Sequence, residues 1–337
     1  MNYFTLYKLL ILLVFFGKGC NFSGKPGEET QHQDAPKDEL LEKFTERIEA
    51  NPNNDKLYIE RANYYLTIDE VDLALRDIIF AIDINDKNPD HYITLSETYL
   101  ALGNPDRCLE GLDKALELDP VNQEALLKKA QLFLIMQQYD KTYETIKELI
   151  GIDNFNPTAY YVRGYALIEQ GDTVGAIRNF LTAVDQKQDY YEAYMQLGIV
   201  YSVQKNSLAA DYLSNAIELK PESPEAYYQL GLYYQENDHI IKAIETYNRL
   251  REINPEYIFA IYNLGYIHLV YLQEFDTAID YFSQVIHLDP EQFDAWYNRG
   301  YSYELMGNKE MARKDYLKAL EVRANYPLAI EGLNRLD

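Results

Sequence analysis

Side chains that commonly carry out chemistry are sparse in this 337-residue chain, and their spacing matches no catalytic or metal-binding motif. Histidine and cysteine are the usual metal ligands and activated groups. They stand at His32, His91, His239, His268, His287, Cys20 and Cys108. None of them has the HExxH or CxxC spacing that brings two ligands to one metal ion. The sequence therefore predicts no metal, no cofactor and no enzymatic activity.

Oxygen-bearing side chains cluster once, at residues 83–88, where Asp-Ile-Asn-Asp-Lys-Asn resembles part of a calcium-binding loop. Such a loop needs a glycine at its sharp turn and oxygen ligands at alternate positions. Lys87 interrupts the oxygen ligands and the glycine is missing, so we interpret the segment as a turn between helices. The chain also lacks the glycine-rich loop that holds phosphates and the GxSxG turn of serine hydrolases.

A small residue returns along the chain every 33 to 35 positions, and this small-residue column is the dominant pattern. Its members are Ala62, Ser96, Ala130, Gly164, Gly198, Gly231, Gly265 and Gly300. A large apolar or aromatic residue stands four positions before each member. Another stands three positions after it, replaced once by His268. Offsets of three and four place side chains on one face of an α-helix, so each unit begins with an amphipathic helix.

A second helical stripe follows the first in every unit. It begins at Ala74, Cys108, Thr142, Ala176, Ala209, Ala243, Ala278 and Ala312, and a large residue stands four positions later. Turn-forming residues such as Gly103-Asn104-Pro105 separate the two stripes, and prolines such as Pro120 and Pro290 separate several of the units. A helical hairpin of this kind cannot bury its apolar face alone, so the copies must stack on one another.

These columns resemble the tetratricopeptide repeat, whose pattern is aromatic, Leu, Gly, Tyr on a first helix and Ala, Phe, Ala on a second. The unit with Trp296, Gly300, Tyr303, Ala312 and Tyr316 is similar throughout. The resemblance covers about residues 55–325. It implies an all-α fold: a right-handed α-solenoid of about eight helical hairpins with capping helices at both ends.

The same patterns divide the chain into five segments. They are a signal peptide at 1–19, a flexible tether at 20–37, an N-terminal capping helix at 38–52, eight repeats at 53–325 and a C-terminal capping helix at 326–337. The unit near Tyr201 is one residue short and the unit near His268 one residue long. We predict that both changes fall in the turn between helices. Residue 334 would continue the small-residue column but is asparagine, so we expect the stack to end there.

An apolar run, residues 9–16, lies near the N-terminus and is too short to span a bilayer as a helix. It is typical of a secretory signal. Cys20 follows this run directly after Gly19, an arrangement that resembles the bacterial lipoprotein signal. The resemblance implies a lipid on Cys20 and export to the cell envelope, with the outer membrane favoured because Asn21 replaces the aspartate of inner-membrane retention. The alternative is an incidental cysteine in an ordinary signal peptide or an uncleaved anchor.

The chain is strongly acidic, with 31 Lys and Arg against 54 Asp and Glu and a net charge of −23 at pH 7. Nucleic acid and anionic lipid surfaces require basic patches, so neither is an expected partner. Two interpretations remain for the negative charge. It keeps a long array soluble, or it steers a basic partner toward the surface.

First helices line the concave surface in the tetratricopeptide family, so first-helix residues outside the packing columns are the candidate partner-binding groove. They are Tyr161, Tyr165, Gln196, Tyr228, Gln229, Tyr262, Asn263, Tyr266, Tyr297, Asn298 and Tyr301. Tyrosine offers a large contact area with few rotamers and keeps a hydroxyl for hydrogen bonding. Amides both donate to and accept from a peptide backbone. The alternative is that these side chains only pack against the next repeat.

The function that these observations favour is a non-enzymatic, membrane-anchored scaffold. We predict that its tyrosine-rich groove binds a protein or peptide, either a neutral or basic aromatic segment or an envelope subunit. A small-molecule substrate is not expected. One alternative is a structural spacer or assembly subunit that acts through its convex face or its ends. Another is an enzyme regulator or co-chaperone, which shares the binding physics but differs in its partner.

Overall fold

The computed structural model describes residues 39–337, and all regular structure within this range is helical. The all-α solenoid predicted from the sequence is confirmed. The predicted signal peptide, tether and Cys20 lie outside the described residues. The chain divides into two compact units between Lys187 and Gln188. Within residues 39–337 no helix is both long enough and apolar enough to cross a membrane.

The first unit consists of one helix followed by four antiparallel hairpins. Its helices are α1 (Glu39–Ala50), α2 (Asp55–Thr67), α3 (Val71–Ile84), α4 (Pro89–Ala101), α5 (Pro105–Leu118), α6 (Gln123–Ile135), α7 (Tyr139–Ile152), α8 (Pro157–Glu169) and α9 (Thr173–Gln186). Helices α2–α3, α4–α5, α6–α7 and α8–α9 form the hairpins, and α1 packs on α2.

The second unit has the reverse arrangement, four hairpins followed by one helix. Its helices are α10 (Tyr191–Val203), α11 (Leu208–Leu219), α12 (Pro224–Glu236), α13 (Ile240–Ile253), α14 (Ile258–Ile267), α15 (Phe275–Leu288), α16 (Phe293–Leu305), α17 (Lys309–Val322) and α18 (Pro327–Leu336). A π-helical turn, His268–Leu272, extends α14. Helix α18 packs on α17 and α16.

Side-chain caps mark where five of the eight first helices begin. An oxygen of the residue before the helix accepts a hydrogen bond from a backbone N–H of the first turn, which satisfies a donor that has no partner inside the helix. These caps are Asn54, Asn88, Asn122, Asn156 and Ser223. The four asparagines recur every 34 residues, so they form a further periodic column that marks the start of each first helix in the first unit.

One residue in the left-handed conformation turns the chain from each first helix into its second helix. The residues are Asp69, Gly103, Gln137, Gly171, Lys205, Asp238, Gln273 and Gly307, with φ between 53° and 83°. Glycine adopts this conformation without a steric penalty, whereas other residues are strained there. Only three of the eight positions hold glycine, which is why the sequence reveals the turn clearly in those hairpins alone.

Close contact between the two helices of a hairpin explains the small-residue column. A Cβ added to Gly231 would lie 2.5 Å from Cε1 of Tyr247, and one added to Gly164 would lie 2.7 Å from Cε1 of Phe180. Real Cβ atoms do not approach other atoms so closely, so an aromatic ring on the second helix requires glycine on the first. The rings themselves are fully buried.

The first three hairpins satisfy the same constraint with a different pair of residues. Their column members Ala62, Ser96 and Ala130 carry a Cβ. The corresponding residues of the second helices are Ile78, Leu112 and Ile146, which are all at most 1% exposed. Since a branched aliphatic side chain is smaller than an aromatic ring, the first helix there has room for a methyl or hydroxymethyl group.

The extra residue of the seventh hairpin lies in the π-helical turn at the end of α14. The sequence predicted that it would fall in the turn between the helices, and the structure differs because the helix absorbs the residue by widening its last turn. Gln273 then takes the left-handed position with φ 55°. His268 stacks on the ring of Tyr281, and its Nδ1 lies 2.8 Å from Oε2 of Glu274.

Charged pairs cross the two helices of the first and the last hairpin. Arg299 donates from Nε and Nη2 to both carboxylate oxygens of Asp315, at 2.7 and 2.9 Å, and Asp315 is fully buried. Arg61 binds Asp77 in the same way, and the bond raises the pKa of Arg61. Such two-point pairs fix the register of one helix against the other.

Replacing Gly231 tests the close contact. We expect Gly231→Ala to lower the free energy of unfolding by about 1–3 kcal/mol, because the new methyl group displaces the ring of Tyr247. Gly151→Ala is the matched control, since its Cβ meets no atom within 4 Å. It should raise stability by up to about 1 kcal/mol through helix propensity alone. The measurement is the midpoint of urea unfolding followed by circular dichroism.

Adding Tyr247→Leu to Gly231→Ala should cost less than the sum of the two single changes, because the smaller side chain leaves room for the methyl group. Strictly additive losses would show that the two residues do not determine each other.

Candidate partner-binding surface

First helices of consecutive hairpins lie next to each other at several places within each unit. Neighbouring first helices contact each other directly, as α10 does with α12 and α16 with α18. Each second helix instead packs between the first helix of its own hairpin and that of the next, as α13 does between α12 and α14. The side of the second unit that carries α10, α12, α14 and α16 is therefore the candidate binding side.

Five tyrosines of the predicted groove lie on this side of the second unit, and all five are half-buried. We call them the tyrosine surface: Tyr228 on α12, Tyr262 and Tyr266 on α14, and Tyr297 and Tyr301 on α16. Residues four apart on one helix lie one turn above each other. Tyr262 and Tyr266 therefore follow one another along α14, and Tyr297 and Tyr301 do so along α16. The structure thus brings together a band of partly accessible rings.

Packed aromatic rings hold the tyrosine surface in place from behind. Tyr297 and Tyr301 stack with their ring centroids 6.1 Å apart and their planes 3° from parallel. Tyr297 also contacts Tyr316 and Tyr326, each at 5.6 Å. Tyr262 meets the ring of Phe282 edge-on at 5.6 Å. Because these contacts restrict ring rotation, little conformational entropy is left to lose when a partner binds.

The amide row that was predicted to bind a peptide backbone already makes hydrogen bonds inside the protein. Asn298 donates from Nδ2 to the hydroxyl of Tyr262 at 2.8 Å, and only 8% of its surface is exposed. Asn263 donates from Nδ2 to the hydroxyl of Tyr247 at 2.9 Å. These two amides therefore fix neighbouring elements. Gln196 on α10 and Gln229 on α12 remain half-buried members of the same row.

Tyr161 and Tyr165 differ from the prediction of accessible rings. They lie on α8 in the first unit and are 3% and 4% exposed. Tyr161 packs against Phe180 at 5.7 Å and against Tyr165 at 6.2 Å. Their large rings are part of the core, so they contribute little surface to a partner in this conformation.

Acidic residues flank the tyrosine surface, but two of them are engaged inside the protein. Glu304 accepts from Nε and Nη2 of Arg335 at 2.7 and 2.9 Å and from the hydroxyl of Tyr316. Burial opposes its ionisation, yet these hydrogen bonds outweigh it and lower the pKa of Glu304. Asp294 accepts from the hydroxyl of Tyr326 at 2.7 Å. The exposed carboxylates are those of Glu225 and Glu236, at the two ends of α12.

Exposed apolar residues extend the tyrosine surface at the ends of α14 and α16. Phe259, Val270 and Leu305 are 48%, 45% and 44% exposed, and Phe259 lies 6.0 Å from the ring of Tyr228. The sequence analysis missed Phe259. The sequence does contain a sign that Phe259 is exposed. The other three first helices of the unit have an acidic residue at the same position of the repeat, at Glu192, Glu225 and Asp294.

Neither a cluster of metal ligands nor an activated form of Cys108 or Tyr262 is found among the described residues. Across residues 39–337 no three His, Cys, Asp or Glu side chains converge as metal ligands would. Burial raises the pKa of Cys108 to about 11, so its thiol is protonated at neutral pH. Burial likewise raises the pKa of Tyr262, whose hydroxyl stays protonated and so cannot act as a base.

Models of the tetratricopeptide repeat match four segments of the sequence, at residues 91–122, 212–245, 260–292 and 293–326. Within these four segments the sequence is similar to the tetratricopeptide repeat. One matched segment lies in the first unit and three lie in the second, which carries the tyrosine surface. No curated protein sequence matches the chain significantly.

Solved structures share the repeat fold at low sequence identity. The C-terminal part of a repeat protein from Cytophaga hutchinsonii has a TM-score of 0.62 and 19% identity, and the match covers 71% of this chain and 98% of that one. A repeat protein from Parabacteroides merdae has a TM-score of 0.51 and 17% identity, with 74% and 98% covered. The Cut9–Hcn1 hetero-tetramer matches with a TM-score of 0.50 and 18% identity, with 92% and 60% covered. These similarities establish the fold alone.

High pH tests the burial of the tyrosines behind the surface. Burial raises the pKa of Tyr262, Tyr316 and Tyr326 above their ordinary value of 10. The folded protein therefore keeps protons that the unfolded chain releases, so this contribution to stability is complete below pH 10 and disappears as the pH rises toward the folded values. We expect the midpoint of urea unfolding to fall as the pH increases beyond about 10.

Tyr262→Phe provides the control for this pH dependence because phenylalanine cannot titrate. Its unfolding midpoint should fall less steeply with pH than that of the wild type. An identical slope in both proteins would show that Tyr262 ionises equally readily in the folded and unfolded chains.

Proposed function

We propose that the protein is a non-enzymatic scaffold that binds a segment of a partner protein on the tyrosine surface of its second unit. The observation that carries this proposal is the band of five half-buried tyrosines on the first helices, held by a second layer of packed rings. Rigid aromatic side chains that are partly open to solvent are the residues that dominate binding energy in protein interfaces.

Two features of the tyrosine surface suit an extended or helical peptide. The rings of Tyr266 and Tyr301 lie one helical turn beyond Tyr262 and Tyr297, so the band continues along the helices. Their hydroxyls can pair with the polar backbone of a bound segment, and the rings can cover its apolar side chains. The half-buried amides of Gln196 and Gln229 supply further donors and acceptors.

The partner segment that fits this surface is neutral or basic and contains aromatic or aliphatic side chains. Glu225 and Glu236 place exposed carboxylates at the two ends of α12, and Phe259 adds an exposed ring beside Tyr228. The chain as a whole carries a net charge of −23. Such a field accelerates the encounter with a basic segment and disfavours an acidic one.

The comparisons agree with a role in protein assembly but do not identify a partner. Four segments match a repeat whose hairpins present a long helical surface. One structural neighbour was solved as part of the Cut9–Hcn1 hetero-tetramer, so a protein with a similar fold takes part in that assembly. For this chain the binding of a protein is a proposal that rests on the tyrosine surface.

We also propose that Cys20 carries the lipid that anchors the protein in a bacterial envelope, with the outer membrane favoured. The support is the sequence alone: an apolar run at residues 9–16 followed by Gly19 and Cys20. The polar residues 21–37 then connect the anchor to α1. A tether of this length has a mean reach of roughly 20–25 Å, which would let the scaffold meet partners at a distance from the membrane.

Alanine substitutions on the tyrosine surface test the proposed function. The partner is first identified by cross-linking and pull-down of the native protein from envelopes. We then expect Tyr266→Ala combined with Tyr301→Ala to weaken its affinity about tenfold or more, because each truncation removes a partly exposed aromatic contact. Tyr262 and Tyr297 are left intact because they support buried neighbours.

Phe80→Ala is the matched control, since it removes a ring that is 52% exposed on α3 in the first unit. Its affinity for the partner should equal that of the wild type. If the double variant also binds normally while remaining folded, the alternative of a spacer that acts through its convex face or ends becomes the better interpretation.

Replacing Cys20 tests the anchor. We expect Cys20→Ser to move the protein from the membrane fraction to the soluble fraction, because serine cannot accept the thioether-linked lipid that holds the chain on the bilayer. The measurement is immunoblotting of fractionated cells. Cys108→Ser, which changes the buried cysteine of α5, should leave the protein on the membrane. Retention of the Cys20 variant on membranes would contradict the lipid assignment.

A further inference from the structure

Helix α18 packs on α17 in the way that a first helix packs on the preceding hairpin. Ala329 is fully buried, and it lies 34 residues after Ala295, at the same position of the repeat. Gly332 approaches Tyr316 so closely that an added Cβ would lie 2.5 Å from Cε2 of its ring. In the four hairpins of the unit a second helix follows the first and covers it. Within the described residues no second helix covers α18, and Ile330 is 39% exposed.

The flank of α17 beside this position departs from the other second helices. Each second helix has a small residue in its first turn, such as Ala312 in α17, and we compare the position directly after it. In seven hairpins this position is apolar or aromatic, at Leu75, Leu109, Tyr143, Ile177, Ala210, Ile244 and Ile279. In the eighth hairpin it is Arg313. The next residue is acidic in the three other hairpins of the second unit, at Asp211, Glu245 and Asp280, whereas α17 has Lys314. Two neighbouring positions have thus changed to positive charge.

These residues surround an open cavity of about 510 Å³, which we call the C-terminal groove. It is lined by Lys309, Glu310, Arg313, Lys314, Leu317 and Leu336. Three of the six are cations and one is an anion, in a chain that is otherwise strongly acidic. Leu317 is 53% exposed, so the groove also offers an apolar contact.

Contacts inside the C-terminal groove hold its cations in place. Lys309 donates from Nζ to the backbone carbonyl of Leu336 at 3.1 Å, and Nη2 of Arg313 lies 2.6 Å from Oδ1 of Asp337. Asp337 compensates part of the charge of Arg313. Lys314 is exposed to solvent, so it is the lysine that a carboxylate approaching from outside meets most readily.

We propose that the C-terminal groove binds an acidic amphipathic helix of a partner protein. The helical form follows from the lining: Lys309, Arg313 and Leu317 are four residues apart on α17 and form one row along that helix, against which another helix can pack. The acidic character follows from Lys309, Arg313 and Lys314, and the apolar side chain from Leu317 and Leu336. The overall negative charge of the chain slows the approach of an acidic helix, and the cations of the groove hold the helix once it is bound.

This site goes beyond the proposed function because it is separate from the tyrosine surface and selects the opposite charge. The tyrosine surface lies on α12, α14 and α16, which are first helices, whereas the C-terminal groove lies on the exposed side of α17 and the end of α18. The second unit would then hold a neutral or basic segment at one site and an acidic helix at the other.

A synthetic helix is the probe that tests the C-terminal groove. It is a labelled, acetylated and amidated peptide of about four turns, with leucines along one face and glutamates elsewhere. Two control peptides have the same composition in scrambled order and lysine in place of every glutamate. We expect the full-length protein to bind the acidic helix in a fluorescence anisotropy titration, more weakly as salt is added, and not the scrambled peptide. Any binding of the lysine peptide should occur at the tyrosine surface and should not change when the C-terminal groove is altered.

Two variants test whether the acidic helix binds at the C-terminal groove. Lys314→Glu combined with Leu317→Ser should weaken binding of the acidic helix about tenfold or more, since it reverses a charge and removes the apolar contact. Arg178→Glu is the matched control, because Arg178 is exposed on α9 at the same repeat position as Lys314. It should leave the affinity unchanged. Both variants change exposed side chains, and equal thermal melting curves would establish that they remain folded.

The proposal is overturned if the wild type does not bind the acidic helix at millimolar concentration. It is also overturned if the scrambled peptide binds equally well, or if the double variant binds the acidic helix like the wild type. Self-association of the wild type that the double variant loses, seen by analytical ultracentrifugation, would assign the groove to a second copy of this chain instead. Since the tyrosine surface is intact in these variants, none of these results depends on the proposed function.

Discussion

The rest of the structure depends on the close approach of the two helices within each hairpin. A small residue of the first helix lies against a large residue of the second, and at Gly164, Gly198 and Gly231 an added Cβ would clash with that large residue. The sizes of the two residues are matched along the chain: alanine or serine accompanies isoleucine or leucine, and glycine accompanies a ring in four hairpins and Leu213 in one. This contact sets the distance between helices, which in turn sets how the next hairpin can stack.

The same contact also connects the core to the candidate binding surface. Gly300 allows Tyr316 to lie deep between α16 and α17, and Tyr316 in turn supports Tyr297. In the preceding hairpins Tyr247 accepts a hydrogen bond from Asn263, and Phe282 supports Tyr262. The rings that a partner would touch are therefore positioned by the rings that fill the core. A surface built in this way is rigid before binding, which favours affinity over adaptability.

Charge separates the second unit into regions of different character. Carboxylates at the ends of α12 flank the tyrosine surface. Of the other acidic groups nearby, Glu304 pairs with Arg335, and Asp294 accepts a hydrogen bond from Tyr326. On α17 the repeat positions that are apolar or acidic in the other hairpins of the second unit have become Arg313 and Lys314. Since the backbone is nearly the same in every hairpin, substitutions at a few exposed positions are enough to give one array surfaces with different preferences.

Periodicity in the sequence alone determined the fold. Stacked helical hairpins were predicted from the small-residue column, from its neighbours three and four positions away and from the second stripe. These spacings are informative because they decide which side chains share a helix face. It did not determine which of those side chains a solvent molecule or partner can reach. Tyr161 and Tyr165 are buried, Asn298 uses its amide inside the protein, Phe259 is exposed, and the extra residue near His268 forms a π-helical turn. Exposure depends on neighbours such as Phe180 and Tyr262 that are distant in sequence and meet a residue only after the hairpins stack, so the tertiary structure decided it.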